Sequence, residues 1–505
     1  MPATTGFLSR CEIFIYFGVY IVYIVIGLYK IYELRDRILD EAQFQFSEGW
    51  SLFPFTQRRR DDSNDELENF GDFIAKFWPY YVLHVIVSGF LHSRWPKFLC
   101  YGYAGVCALA LGLHLHWSSL AVFVTLVASY YLIGQTMRVC KRHVWLLSVA
   151  WIMWINVMKN SNWWYESVGY AEYVLVIVTL SWSLLRGCSY ALERIAAKDT
   201  KADQSSYELT HYLGYAMYFP CLAYGPIISY PRFAARQDQD TSRPQNWTKL
   251  AVAVLRSGFW WLLMQCALHY FYIYYMARDA NMVAMMDSVF WQHSAGYFMG
   301  QFFFLYYVVT YGLGIAFAVH DGIPAPSRPR CIGRIHFYSD MWKYFDEGLY
   351  EFLFKHIYCE LCGKQSSPAA KICATALTFA FVFVWHGCYT YVLIWSVLNF
   401  FCLAAEKVYR ALISIPCYSD WTLRHLGPVG SQRLHAVLAT QLFIPAAFSN
   451  VYFIGGQEIG DFLMRGAYLS GLGNYLALCF CSYCFFQCSE LLVITRTKTN
   501  RTKSN

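Results

Sequence analysis

Apolar positions along this chain gather into runs close to membrane-spanning length. The first covers Ile13 to Tyr29, and others start near Ala75, Phe98, Ser119, Val144, Tyr170, Leu250, Gly296, Lys371, Tyr391, His435 and Ser470. A helix needs about 20 apolar residues to cross a bilayer, and only helices or closed barrels satisfy their own backbone there. The pattern predicts an all-α polytopic membrane protein with about 10–12 membrane segments, re-entrant ones included. It forms one integral-membrane domain over residues 1–505. The first run lacks a small-residue cleavage site and reads as a retained signal anchor.

Two stretches break the pattern. Tyr215 to Phe233 carries Pro220, Gly225, Pro226 and Pro231 in an aromatic setting. It cannot be one regular helix, because each proline removes a backbone donor and disfavours helix before it. Irregular backbone at membrane depth is tolerated where it is buried in protein or lines a cavity, so this segment is an expected wall of a site. Met341 to Tyr358 reads instead as one amphipathic helix. Lys343, Glu347, Glu351 and Lys355 follow i, i+4 spacing, and Trp342, Phe345, Leu349 and Leu353 lie opposite. Asp346 falls on the apolar face, where a carboxylate is costly unless paired or solvated, and that marks it as a candidate site residue.

Charge then sets orientation. Basic residues cluster at Arg138, Lys141 and Arg142, at Arg328, Arg330 and Arg334, and at Arg496, Lys498, Arg501 and Lys503. These connections are expected on the cytosolic side, and the acid-rich stretch Glu33 to Asp72 in the lumen. Both termini are then cytosolic and the number of full spans even. The sequons at Asn246 and Asn500 fall on the cytosolic side and are expected to be unmodified.

Composition agrees: 57% of residues are hydrophobic and 14% charged, which excludes a soluble multidomain protein. The net charge of +7 reads as membrane topology, with membrane lipids as partners and no nucleic acid. Eighteen cysteines scattered through apolar segments read as small buried hydrophobes or acylation targets. The CxxC pairs Cys359/Cys362 and Cys481/Cys484 lack the companions a zinc site needs.

Among 14 histidines, His386 stands apart. It closes the run Phe379 to Trp385, a glycine follows, and a second apolar run begins at Tyr391, so it sits at a hairpin tip. Its 15 steps from Lys371 amount to about 22 Å of helix, most of the way across a bilayer core of about 30 Å. An imidazole held so deep is neutral and suited to act as a base.

The segments Met341-Trp342-Lys343-Tyr344-Phe345-Asp346, Thr378-Phe379-Ala380-Phe381 and Trp385-His386-Gly387, with 40 residues from Asp346 to His386, resemble the membrane-bound O-acyltransferase (MBOAT) family. Tyr218-Phe219-Pro220 and Gly225-Pro226-Ile227 match it as well. The resemblance is strongest to its hedgehog acyltransferase branch, which has Asp at the position of Asp346 where O-acylating relatives have Asn. One departure is Lys343, where close relatives can carry Arg, so a point charge replaces a planar fork.

The resemblance implies a protein N-palmitoyltransferase of the endoplasmic reticulum membrane, with the Golgi as the other possible location. Palmitoyl-CoA would be the co-substrate, and the acceptor the α-amino group of an N-terminal Cys on a secreted signalling protein, Hedgehog or an epidermal-growth-factor-like ligand. It implies His386 and Asp346 as catalytic residues, Trp342, Lys343, Trp385 and Gly387 as substrate-binding, and Cys331 as an axial thiolate for haem. The implied organisation is an anchor and luminal loop (1–74), a catalytic core (206–410), and C-terminal helices with a basic tail (411–505). An O-acyltransferase acting on a lipid or a Ser-containing peptide is the alternative within the family. A transporter fits the composition and the intramembrane acid and histidine equally well.

Overall fold

The computed structural model describes residues 8–42, 45–50, 58–136, 140–200, 207–235, 245–363 and 367–504. Twelve long helices dominate these residues. They are α1 (Arg10–Glu33), α2 (Asp65–Arg94), α3 (Leu99–His114), α4 (Trp117–Gln135), α5 (Lys141–Lys159), α6 (Tyr170–Thr200), α7 (Trp247–Ala267), α8 (Val289–His320), α9 (Pro368–His386), α10 (Thr390–Ile413), α11 (Pro416–Leu469) and α12 (Leu472–Ser504). Eleven are long and apolar enough to cross a membrane. The exception, α5, has 19 residues but opens on Lys141, Arg142 and His143 and ends on Asn156 and Lys159.

If the twelve helices alternate in direction, their ends fall into two sets, and the cross-contacts join ends of the same set. At one end Glu12 pairs with Arg433 at 2.8 Å, Lys141 with Glu360 at 2.7 Å, and the Trp247 and His320 rings lie 4.9 Å apart. At the other end Asp65 pairs with Arg278 at 2.7 Å, and Asn156 Nδ2 donates to the Val384 carbonyl at 2.8 Å. Both sets follow if all twelve helices alternate in direction, α5 included. The even count expected from the basic connections requires α5 to cross as a twelfth span beside the eleven that are long and apolar enough. Arg138 lies outside the described residues, as do the side chains of the basic tail.

Helix α11 illustrates how sequence limits span length. Its 54 residues would measure about 81 Å if straight, far beyond a bilayer core of about 30 Å. Gly427 (φ 65°) and Gly456 (φ 79°) adopt left-handed backbone and break it into three pieces.

Two expectations need correction. The stretch Glu33 to Asp72 is not one polar loop: Arg35–Ala42 is helical and α2 begins at Asp65. Between them Asp61 is fully buried and accepts the Tyr274 and Tyr275 amides at 2.8 and 3.1 Å, anchoring the connection to the segment after α7. Nor is Met341 to Tyr358 one helix. A helix over Tyr338–Phe345 stops, Asp346 takes extended backbone (φ −129°, ψ 84°), and a new helix runs over Glu347–Leu353 before a π-turn at Phe354–Tyr358. The carboxylate is an N-cap, its oxygen accepting the Leu349 amide at 2.9 Å, and a capping acid ends one helix as it starts the next.

The proline-rich stretch is broken, as expected: a helix over Leu209–Ala216, a 3₁₀ turn at Phe219–Cys221 and a short helix over Tyr230–Ala234. Its backbone is satisfied by side chains inside the protein, with the Tyr215 hydroxyl donating to the Ile228 carbonyl at 2.8 Å and Ser189 Oγ accepting the Tyr230 amide at 3.1 Å.

Candidate active site

A cavity of about 290 Å³, walled mainly by aromatic and aliphatic side chains, lies between α1, α8, α9, α10, α11 and α12. Both Asp346 and His386 line it.

Asp346 reaches the cavity because the helix breaks beneath it. One carboxylate oxygen caps the next helix through Leu349, and the other accepts the Tyr311 hydroxyl of α8 at 2.7 Å. Burial pushes its carboxyl up from the ordinary Asp range, and the Leu349 amide and Tyr311 hydroxyl hold it back. Gly348 allows the approach that sets this geometry. A Cβ there would stand 2.2 Å from the Ile227 carbonyl oxygen, so the capped helix packs directly on the broken segment. Arg232 ties the same two elements by pairing with Glu347 at 2.8 Å and with Glu351. The proline-rich segment therefore backs the Asp346 helix and does not itself line the cavity.

His386 is the last residue of α9. Gly387, at φ 123°, caps the helix, and Cys388 follows at φ 61° before α10 starts at Thr390, which makes the expected tight hairpin. The imidazole meets Trp385, Phe453 and Trp395 edge-on, at centroid distances of 4.7, 5.0 and 5.8 Å. No hydrogen bond holds either ring nitrogen among the described residues, and the ring faces the cavity. An imidazole positioned by packing alone keeps both nitrogens available for proton transfer.

Of the other expected residues, Trp342 and Trp385 line the cavity. Trp342 donates its indole N–H to Asn399 Oδ1 at 2.9 Å and packs on Trp395 at 5.7 Å. Lys343 does not reach the cavity: it is exposed, with its ammonium 5.2 Å from the Tyr344 ring. Gly387 acts through backbone conformation and offers no lining surface. Cys331 is half-buried in the turn beside Ile332, which does line the cavity. No group of three or more metal-ligating side chains occurs among the described residues.

Sequence reasoning missed Tyr311, Asn399 and Asn450. Asn399, fully buried, accepts from Trp342 and from the Tyr338 hydroxyl and donates to the Trp395 carbonyl at 2.6 Å. Asn450 accepts from Tyr338 at 3.1 Å. The amide polarity of Asn399 inside the apolar α10 is a signal that would have found it. The cavity also draws on Tyr20, Tyr23, Phe448 and Phe453, so it extends outside the expected core of 206–410.

Residues 126–449 match the family described as MBOAT, membrane-bound O-acyltransferase family. The chain is 72% identical over 98% of both chains to "Protein-cysteine N-palmitoyltransferase Rasp" of Drosophila melanogaster. It is 30% identical to the mouse "Protein-cysteine N-palmitoyltransferase HHAT" over 65% of this chain and 66% of that one. A mouse "Protein-cysteine N-palmitoyltransferase HHAT-like protein" is 27% identical over 61% of this chain and 60% of that one. The cavity that Asp346 and His386 share thus stands in a helical membrane protein that belongs to the membrane-bound O-acyltransferase family.

Proposed function

We propose that this chain is a protein-cysteine N-palmitoyltransferase, moving palmitate from palmitoyl-CoA to the α-amino group of an N-terminal Cys. The observation that carries this reading is that Asp346 and His386 open onto one apolar cavity inside the helical bundle. The names of the fly and mouse relatives support the chemistry.

The orientation read from the basic connections puts the donor on the cytosolic side and the acceptor in the lumen. The two meet only at a centre inside the membrane, and the hairpin tip holds His386 there. An α-amine has a pKa of about 7.7–8.0 and must lose its proton to attack. Asp346, oriented by Tyr311, attracts the cationic N-terminus into a low-dielectric site. The amine nitrogen attacks the thioester carbon, a C–N bond forms and the C–S bond breaks. The ammonium gives up one proton to water before the attack, and His386 takes the second from the nitrogen as the bond forms and returns it to the departing CoA thiolate. Trp342 and Trp385 wall the reacting acyl group, with Trp342 fixed by Asn399.

In this reading the acceptors are secreted signalling proteins of the Hedgehog and epidermal-growth-factor-like kinds, and the enzyme resides in the endoplasmic reticulum membrane. Haem on Cys331 rests on the family resemblance. Cys331, half-buried in the turn beside the cavity-lining Ile332, would hold the iron through its thiolate, and the exposed Arg334 three residues on would be available to a propionate. Arg330 is stacked 3.5 Å over Tyr344 and does not serve that role. A bound haem supplies an iron–thiolate bond, and no step of the transfer runs through it. A Soret band that persists in Cys331→Ala would remove this ligand.

The deciding assay supplies long-chain acyl-CoA and an N-terminal Cys peptide and follows CoA release. Release with the free peptide and none with its N-acetylated form supports amide formation. Equal release with both points to ester chemistry, and no release with either points away from an enzyme.

A further inference from the structure

Outside the transfer cavity, an open pocket of about 490 Å³ lies between the first half of α7 and the segment that follows α8. Among the described residues its walls hold three cations, Lys249, Arg256 and Arg328, together with Asn246, Thr248, Val252 and Ala253, and no acid. None of the three cationic side chains has an ion pair or hydrogen bond among the described residues. Arg256 stands nine steps into a membrane-spanning helix, about 14 Å from its start, where an unpaired arginine is rare and costly. Burial lowers the pKa of Arg328, and the facing Arg256 charge lowers it further. Two like charges across a pocket without a counter-ion call for an anion from outside the chain.

The helix geometry says which anion. Lys249, Val252, Ala253 and Arg256 share one face at i, i+3, i+4, i+7 spacing, and Val252 is 60% exposed. Leu255 and Phe259, 72% and 59% exposed, continue the same helix toward lipid. The pocket therefore opens sideways onto the bilayer, with an apolar wall for an acyl tail beneath a basic headgroup seat. With the helices alternating in direction, Trp247, between the pocket residues Asn246 and Thr248, shares its end with Lys141, the end the basic connections assign to the cytosol. Anionic lipids concentrate in that leaflet. The geometry points to a binding site for the phosphate of an anionic phospholipid, held by Arg256, Arg328 and Lys249. A phosphate of the acyl-CoA donor has the same chemistry, so the test separates the two sources. The site is independent of the transferase reading.

The full chain, purified in detergent, is offered phosphatidylglycerol, phosphatidylcholine or CoA alone. Bound lipid is read by native mass spectrometry and thermal stability in parallel. Each basic side chain near an anionic headgroup favours it by about fivefold, so wild type should retain phosphatidylglycerol over phosphatidylcholine by about 125-fold through Lys249, Arg256 and Arg328. It should also be thermally stabilised by phosphatidylglycerol. Arg256→Gln with Arg328→Gln should cut the preference to about fivefold, the share of Lys249, and lose most of the thermal stabilisation while binding CoA as wild type does, and Arg256→Lys with Arg328→Lys should keep both effects. Loss of CoA binding in the glutamine variant, with lipid retention unchanged, would overturn the lipid assignment in favour of the donor. Equal retention of both lipids by wild type would overturn the site itself, leaving the arginines as chains that reach back to the interface.

Discussion

The Tyr311 hydroxyl donates to one oxygen of Asp346 at 2.7 Å, while the other oxygen caps the helix that begins at Glu347. One carboxylate thus holds a backbone turn and faces the transfer cavity at once. Tyr311→Phe removes a donor worth about 1.5–3 kcal/mol when its partner is charged. Transfer to an N-terminal Cys peptide should fall about ten- to a hundredfold on that scale, with acyl-CoA affinity near wild type and stability lower by no more than that energy. Steady-state kinetics against peptide concentration provide the measurement.

The two roles of Asp346 separate by substitution. Asn caps a helix about as well as Asp, so Asp346→Asn keeps the turn and removes the charge. It should cripple amide transfer while leaving expression and acyl-CoA binding near normal. Asp346→Ala loses the cap too and should lower stability by about 0.5–2 kcal/mol as well. Loss of acyl-CoA binding in Asp346→Asn would instead put this residue in the donor site or the fold.

Much of this architecture is legible in the sequence. Apolar run length locates the helices, because it follows from burial along a single chain. Asp346 was found through the cost of a carboxylate among apolar neighbours. Its neighbourhood was misread as one helix, because periodicity over Met341 to Tyr358 cannot show that a capping side chain interrupts the turn. Tyr311 left no trace in sequence, since a tyrosine in an apolar span is ordinary and its role exists only where α8 meets the Asp346 turn. Lys343, polar and four residues before Glu347, fitted a stripe that the break at Asp346 dissolves.

Gly348 is a packing requirement. A methyl group there would meet the Ile227 carbonyl oxygen at 2.2 Å, backbone that cannot step aside. Gly348→Ala should destabilise the protein by about 1–3 kcal/mol, the range for overpacking, and reduce turnover by displacing Asp346. A thermal midpoint measured alongside turnover separates the two effects, and an unchanged midpoint would contradict the close approach.

Arg232 bridges the broken segment to the Asp346 helix through Glu347 and Glu351. Burial raises the Glu347 pKa, but hydrogen bonds from Ser327 and Arg232 outweigh it and bring the group below its ordinary range. A depressed carboxylate pKa stabilises the fold above the unfolded value of about 4.3, and that contribution is lost as pH falls through the lower folded value. Arg232→Gln should reduce stability at neutral pH and flatten its acid dependence below about pH 4.3. Thermal melts across that range would show it, and parallel curves for both proteins would contradict the bridge.

His386 carries the central claim, because its ring faces the cavity with neither nitrogen engaged among the described residues. The decisive measurement is palmitoyl transfer per correctly folded enzyme in His386→Ala, with folding and acyl-CoA binding measured on the same sample. Positioned proton transfer is worth about 10²–10⁴-fold, so turnover should fall by that factor while folding and donor binding stay near wild type. Near-normal turnover in the folded variant would contradict the assignment of His386 as the base and leave the ring as packing for the α9–α10 hairpin.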